Sequence, residues 1–212
     1  TTGNTPLPDN FLRPRPGYAD IQYIEMASNS NYHSMQTQLN KRFSRGLMFG
    51  LSWTWSKSMN FVDAELDTLS AIVDRRVWNY GLSSWDRTHV VKINYLYDLP
   101  KLREGNAVLR KFVNDWQLSG ITSFVSGAPL GVGFSQTVAA DITGTPSQGA
   151  RIVVTGNPVL PKSERTFERN FRTDVFQLPA VGTFGNAAKT LIRGPGINNW
   201  DIAVFKNVPI WE

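Results

Sequence analysis

Residues 47–55 alternate strictly between two kinds of side chain. Odd positions read Leu47, Phe49, Leu51, Trp53 and Trp55; even positions read Met48, Gly50, Ser52, Thr54 and Ser56. A period of two belongs to a β-strand with one apolar face and one small or polar face, and no helix can present that pattern coherently. Upstream, Met35, Thr37, Leu39 and Phe43 alternate with Ser34, Gln36, Gln38 and Asn40, and Ser44-Arg45-Gly46 joins the two runs. That spacing predicts a tight hairpin with glycine in the left-handed position. A third run sets Val91, Ile93, Tyr95 and Tyr97 against Lys92, Asn94 and Asp98, and a fourth sets Trp200, Ile202, Val204, Val208 and Ile210 against Asn199, Asp201 and Asn207. Weaker strand patterns cover Ile21–Ala27 and Trp116–Val125. The fold class is all-β: an antiparallel meander of six strands.

The polar face narrows the class. A soluble sandwich turns Lys, Glu and Asp toward water, whereas here that face carries mostly Ser, Thr, Gln, Asn and Gly. The apolar face carries aromatic pairs, Trp53 with Trp55 and Tyr95 with Tyr97, of the kind that sit at lipid headgroups in an outer-membrane barrel. Strands of about 10–12 residues suit a tilted bilayer crossing. Leu47, Phe49, Leu51, Trp53, Trp55, Ile93, Tyr95 and Tyr97 are therefore the expected lipid-facing and girdle positions. Connections point the same way. The Ser44–Gly46 turn is short, while Ser58–Arg87 and Gly127–Asn198 are long and fall at the opposite end, with Pro100–Asn114 of intermediate length. Short turns on one side and long loops on the other is the barrel plan. Part of the longest segment, Ala150–Thr155, also has strand character. The alternative is a soluble or surface-exposed all-β binding module, for carbohydrate or adhesion, with Trp53 and Trp55 in its core or as a stacking platform.

Composition excludes several functions. The 212 residues contain no Cys and two His, which removes disulfide scaffolds, thiolate metal sites and cysteine nucleophiles. The net charge of +5 is scattered, without the basic stripe a nucleic-acid partner needs. No apolar run reaches the length of a membrane-spanning helix. Asp63, Glu65, Asp67 and Asp74 concentrate acid in the first long loop, but their spacing is not a calcium-binding loop. Asp86, Arg87 and His89 could suggest acid–base work but lack a partner constellation for it, and Gly127–Gly133 lacks the Lys-Ser/Thr of a phosphate cradle. Neither metal nor cofactor is expected, and no catalytic constellation is present, so the chain reads as a non-enzyme. Arg75, Arg76, Trp78, Tyr80 and Trp85 form the one recognition vocabulary in the loops, with packing against the barrel rim as the competing role.

Six strands are too few to close a transmembrane barrel, which needs about eight, and Pro209-Ile210-Trp211-Glu212 breaks off inside a strand pattern. The expectation is that residues 1–212 form part of one outer-membrane barrel domain whose plug, first strands and last strands lie elsewhere. Asn29–Gln36, Leu39–Leu47 and Trp53–Ser58, followed by Ser84–Val90, Asn94–Pro100, Trp116–Ile121, Gly182–Asn186, Arg193–Gly196, Asn199–Asp201 and Phe205–Asn207, together resemble the barrel portion of TonB-dependent receptors of the Oar-like group. No single motif is specific; their order and spacing are. The resemblance implies a plugged 22-stranded barrel in the bacterial outer membrane, with lipid and a TonB-type energising complex, reached through the missing plug, as partners. It implies energised uptake of a scarce large solute such as an iron chelate, an oligosaccharide or a peptide, with export or adhesion in some members.

Overall fold

In the computed structural model, residues 15, 17–18, 21, 23–65, 67, 69, 72–135, 140–144 and 148–208 are described. Five long strands carry the fold: β1 (Ser30–Ser44), β2 (Leu47–Asn60), β4 (His89–Asp98), β5 (Trp116–Val125) and β10 (Ile197–Lys206). They lie side by side in chain order, and the short β3 (Gly81–Leu82) joins the sheet by pairing with the end of β2. The antiparallel meander is thus present, with five long strands and one two-residue strand in place of six long ones. All three registers from β2 to β10 are antiparallel.

The hairpin between β1 and β2 turns on Arg45 and Gly46, which both have positive φ (54° and 76°). Two consecutive positive φ values make the tight turn whose twist matches paired strands, so the left-handed conformation extends to Arg45 as well as the expected glycine. At the same end of the sheet, residues 99–115 join β4 to β5 and hold helix α2 (Ala107–Val113). The opposite end carries the two long connections, 61–88 and 126–196.

Cross-strand pairing sorts the side chains by face. One face carries four rows: Trp53, Val91 and Phe124; Leu51, Ile93, Thr122 and Trp200; Phe49, Tyr95, Gly120 and Ile202; Leu47, Tyr97, Leu118 and Val204. The other carries Ser52, Lys92, Ser123 and Asn199, then Gly50, Asn94, Ile121 and Asp201. Ile121 interrupts that polar face, as do Phe205 beside Gln117, Met48 opposite Leu96, and Val90 opposite Val125 at the far end. Alternation read from the sequence is therefore a real division of faces on β2 and β4. On β5 the pattern is weaker because Gly120 and Thr122 occupy the apolar side. Gly120 is required there: a Cβ would stand 2.6 Å from the Tyr95 hydroxyl and 2.6 Å from the carbonyl oxygen of Asp201. The tyrosine ring fills the space that the glycine leaves.

The sheet is one layer thick, and no hydrophobic side chain in it is buried; among the described residues the buried hydrophobic side chains are Ile152, Leu160, Val175 and Ala187, all outside it. Contacts divide the chain into two compact units. One comprises residues 32–57, 86–128 and 195–212 and holds most of the sheet. The other comprises residues 1–31, 58–85 and 129–194. In this second unit β6 (Pro129–Leu130) pairs with β9 (Ile192–Arg193), and β7 (Val153–Val154) pairs with β8 (Phe176–Gln177). Val159 and Phe171 add a single bridge, and the Phe171 and Phe176 rings meet edge to face.

Several expectations are corrected. The described residues of Ile21–Ala27 lie outside any strand, and Tyr23 and Met26 there are exposed: strand-like residues do not form a strand without a neighbour to pair with. The last strand begins earlier, at Ile197, and ends at Lys206, which leaves Val208 beyond it; Ile210 lies outside the described residues. Only Val153–Val154 of Ala150–Thr155 is strand. Pro129–Leu130, inside the glycine-rich Gly127–Gly133, is paired strand rather than turn. The Pro-rich segment Thr5–Pro8 lies outside the described residues, as do three of the four residues of Arg13–Pro16.

Thr122 is almost wholly buried, and its hydroxyl has no hydrogen-bond partner. Burying an unpaired hydroxyl costs about 1–3 kcal/mol. Thr122→Val removes that group at nearly constant shape, and the variant is expected to unfold at higher urea concentration than the parent protein in the same detergent or lipid. An unchanged or lower midpoint would show that the hydroxyl is satisfied.

Candidate functional site

The loop-bearing unit is organised around Asp63. One carboxylate oxygen accepts hydrogen bonds from the Asn60 amide (3.0 Å), the Ser83 hydroxyl (3.2 Å) and the Ser84 backbone N–H (2.8 Å). The other faces Lys189 Nζ at 2.9 Å, and Lys189 also donates to Asn60 Oδ1 at 2.7 Å. The Asp63 carbonyl accepts from the Trp85 indole N–H, and Asp67 accepts from the backbone N–H groups of Asp63 and Ala64. Three chain segments far apart in sequence are thus fastened at one carboxylate. Partial burial raises the Asp63 pKa, but the Lys189 ammonium and the Ser84 and Asn60 donors outweigh it and hold the carboxyl well below the usual carboxylate range.

A second clamp is Arg151. Its guanidinium lies 4.4 Å from the centre of the Trp78 ring and donates to the Trp78 carbonyl (2.6 Å), the Ala187 carbonyl (3.2 Å) and Asn79 Oδ1 (3.2 Å). Half-buried, it has its pKa lowered by desolvation, while guanidinium remains charged at any ordinary pH. Trp78 also meets Phe184 edge to face. Around these residues the stretch Gly182–Asn186 acts as a clasp. Phe184 O accepts from the Arg151 N–H, and Asn186 bonds both the N–H and the carbonyl of Val154. Gly185 has φ 75°, and a Cβ there would lie 1.8 Å from the Arg151 carbonyl oxygen, so no other residue fits.

The five loop residues proposed from sequence divide into two groups. Trp78, Tyr80 and Arg76 pack within the unit. Arg76 sits over the Tyr80 ring at 5.1 Å, Tyr80 meets Phe61, and its hydroxyl accepts from Asn31 at 2.7 Å. Arg75 is half exposed, with Glu25 at 3.7 Å, and Trp85 is 73% exposed although its indole N–H is held. Helix α1 (Arg75–Asn79) begins at Asp74, whose carboxylate accepts from the Arg76 and Val77 N–H groups. Of the acidic residues of this loop, Asp63, Asp67 and Asp74 accept hydrogen bonds from the protein itself, and no cluster able to hold a metal ion occurs among the described residues. Sequence reasoning missed Lys189, which lies more than 100 residues from Asn60, and Arg151, which lies more than 70 from Trp78 and Asn79; neither carries a local signal.

On the sheet, the apolar positions proposed from sequence fall on one face: Leu47 opposite Tyr97, Phe49 opposite Tyr95 and Leu51 opposite Ile93. Trp53 stacks on His89, 5.9 Å between ring centres, and donates its indole N–H to His89 Nδ1 at 3.2 Å; Trp55 pairs with His89 in the ladder. Phe124 meets Trp200 edge to face. Toward the other end stand Tyr95, Tyr97 and Trp116, so aromatic rings mark both ends of this face. Trp116 and Phe124 on β5 are eight residues apart in the strand, about 27 Å along it and about 20 Å in height if tilted some 40°. Trp200, Ile202 and Val204 on the same face are each more than half exposed. Asp86, by contrast, is buried at the loop junction, where its carboxylate accepts from Thr88 and its carbonyl from Arg87.

A single antiparallel layer with long strands, one apolar face and aromatic rings toward both of its ends is the arrangement of an outer-membrane barrel wall. The chain belongs to the outer membrane beta barrel domain family, whose model matches residues 1–212. No curated protein and no solved structure matches it. Its place is the bacterial outer membrane.

The low Asp63 pKa makes the loop unit acid-sensitive. The folded carboxyl titrates below its unfolded counterpart (about 3.9), so its contribution is complete above that value and is lost as pH falls further. The protection factor of the Ser84 amide, its exchange relative to an unstructured amide at the same pH, is expected to hold at pH 5 and to fall below about pH 4. Asp63→Asn keeps the shape, removes the charge opposite Lys189, and should loosen the unit by about 1–3 kcal/mol while flattening that acid response. An Asp63→Asn protein with parental exchange would remove Asp63 from its central place.

Proposed function

We propose that this chain forms part of the barrel of a TonB-dependent receptor of the Oar-like kind, which takes up a scarce large solute by energised transport and makes or breaks no covalent bond. The observation that carries the reading is the asymmetry of the connections. Both long segments, 61–88 and 126–196, leave one end of the sheet, while Arg45-Gly46 and residues 99–115 close the other. Outer-membrane barrels turn their long loops to the cell exterior, where a receptor meets its solute. The ordered series of motifs from Asn29 to Asn207 supports the finer family. Exposed Trp85 and half-exposed Arg75 are the contacts we assign to the solute, with Trp78, Tyr80 and Arg76 holding the loop in shape. The face bearing Leu47, Phe49, Leu51, Trp53, Trp55, Ile93, Tyr95 and Tyr97 is assigned to lipid. A soluble module would need that face covered.

Leu51→Arg tests the lipid assignment. A midplane cation costs about 2–4 kcal/mol, so the folded, heat-modifiable species on a gel should fall sharply, whereas full recovery would move Leu51 out of the bilayer. Reading the gene outward from both ends of this sequence tests the receptor. An upstream plug with a TonB-contacting segment and further downstream strands are expected. A reading frame that encodes a barrel with no plug would replace energised uptake by a passive pore or an adhesin.

A further inference from the structure

The short-turn end of the sheet carries an element that neither the strand pattern nor the family describes. Helix α2 (Ala107–Val113) exposes Val108, Leu109, Phe112 and Val113, with Phe112 72% exposed. Spacings of four bring Val108 beside Phe112 and Leu109 beside Val113. Arg110 and Lys111 lie between them in sequence. The Asn106 side chain caps the start of the helix by accepting from the Val108 N–H.

The helix is fastened to a particular side of the sheet. Trp116 donates its indole N–H to the Phe112 carbonyl at 2.8 Å. Lys206 lies over the Trp116 ring at 5.5 Å and donates to the carbonyl of Lys111 at 2.8 Å and to that of Asn114. Both anchors sit on the apolar face: Trp116 lies two residues before Leu118 on β5, and Lys206 is its ladder partner, two residues after Val204. Asp115, with φ 64°, makes the sharp bend between helix and strand, and Asn114 bonds both the N–H and the carbonyl of Leu102, which closes the connection on itself. Lys101 pairs with Asp115, whose carboxyl is held below its usual range by that hydrogen bond.

We propose that α2 is an interfacial helix lying in the periplasmic leaflet of the outer membrane. Its Val108, Leu109, Phe112 and Val113 enter the lipid just below the lower aromatic ring of the sheet. Two observations select lipid as the occupant. The apolar patch continues the apolar face of the sheet, because the residues that tie the helix down are themselves members of that face. The charges fit an anionic bilayer surface: Lys101, Arg103, Arg110 and Lys111 outnumber Glu104 and Asp115 in residues 99–115. An amphipathic helix with cations beside its apolar side chains binds at such an interface through both terms. The inference rests on the barrel fold and not on transport, so a failed receptor reading leaves it standing.

The test uses the full-length protein, cleared of any cysteine outside this cysteine-free chain and folded into vesicles of phosphatidylethanolamine and phosphatidylglycerol. Phe112→Cys and Arg110→Cys are each labelled with an environment-sensitive fluorophore, and folding is verified by heat-modifiable migration. The Phe112 label should emit to the blue and be quenched by lipids spin-labelled near the headgroup. The Arg110 label should be quenched by aqueous iodide. Val108→Cys, labelled in the same way, should follow Phe112. If the Phe112 and Val108 labels are open to iodide and insensitive to spin-labelled lipid, the helix projects into water and the proposal fails. If they are shielded from both quenchers, protein covers the helix and the proposal also fails.

Discussion

A sheet one layer thick has no interior of its own. Along the apolar face, from Trp53 down to Leu118, side chains meet only others of the same face, and none of the apolar ones is buried. In water that arrangement would leave aromatic and aliphatic surface unpaid by any burial; in a bilayer the acyl chains supply the missing half of the packing. Everything else about the sheet follows. Strands must be long enough to cross. Backbone groups must be paired along the ladders. Rings collect where the apolar band meets headgroups. Among the described residues, five long strands fall short of the eight in the smallest barrels, and β1 and β10 are the two edges of the sheet.

The loop unit obeys the opposite logic. Among the described residues it carries four buried hydrophobic side chains, Ile152, Leu160, Val175 and Ala187, too few to fix so long a stretch by hydrophobic contact alone. Polar clamps do what a larger core does elsewhere: the Asp63–Lys189 pair with its three hydrogen-bond donors, Arg151 over Trp78, and the Gly185–Asn186 clasp on Arg151 and Val154. Each joins segments distant in sequence within the unit, although the buried Trp78 indole N–H is left without a hydrogen-bond partner. Such a design holds a long loop in shape with only short elements of regular secondary structure.

What the sequence revealed follows from range. Period-two alternation is local, so β2 and β4 and the Arg45-Gly46 hairpin could be read directly, and the side of each long loop followed from counting reversals. Trp116–Val125 was weaker because Gly120 and Thr122 stand where large apolar residues belong, a choice explained only once Tyr95 is seen lying over Gly120. Ile21–Ala27 had strand-like residues but no partner. In the loops, Trp78 and Tyr80 were legible as aromatics with nearby arginines, yet whether they face a solute or their own chain depends on Arg151, Phe184 and Asn31, which no spacing rule connects to them. Lys189 was invisible for the same reason.

The absence of cysteine bears on how such a chain reaches its final place. A connection as long as 126–196 has to pass through the plane of the membrane before the strands on either side of it can settle. A disulfide formed early would make it a knot too bulky to thread. Here the clasp around Gly185 and the Asp63 pair are made wholly of reversible bonds. They can stay open during passage and close afterwards, so the same polar clamps that give the loop its shape also leave it a flexible thread while the barrel is being assembled.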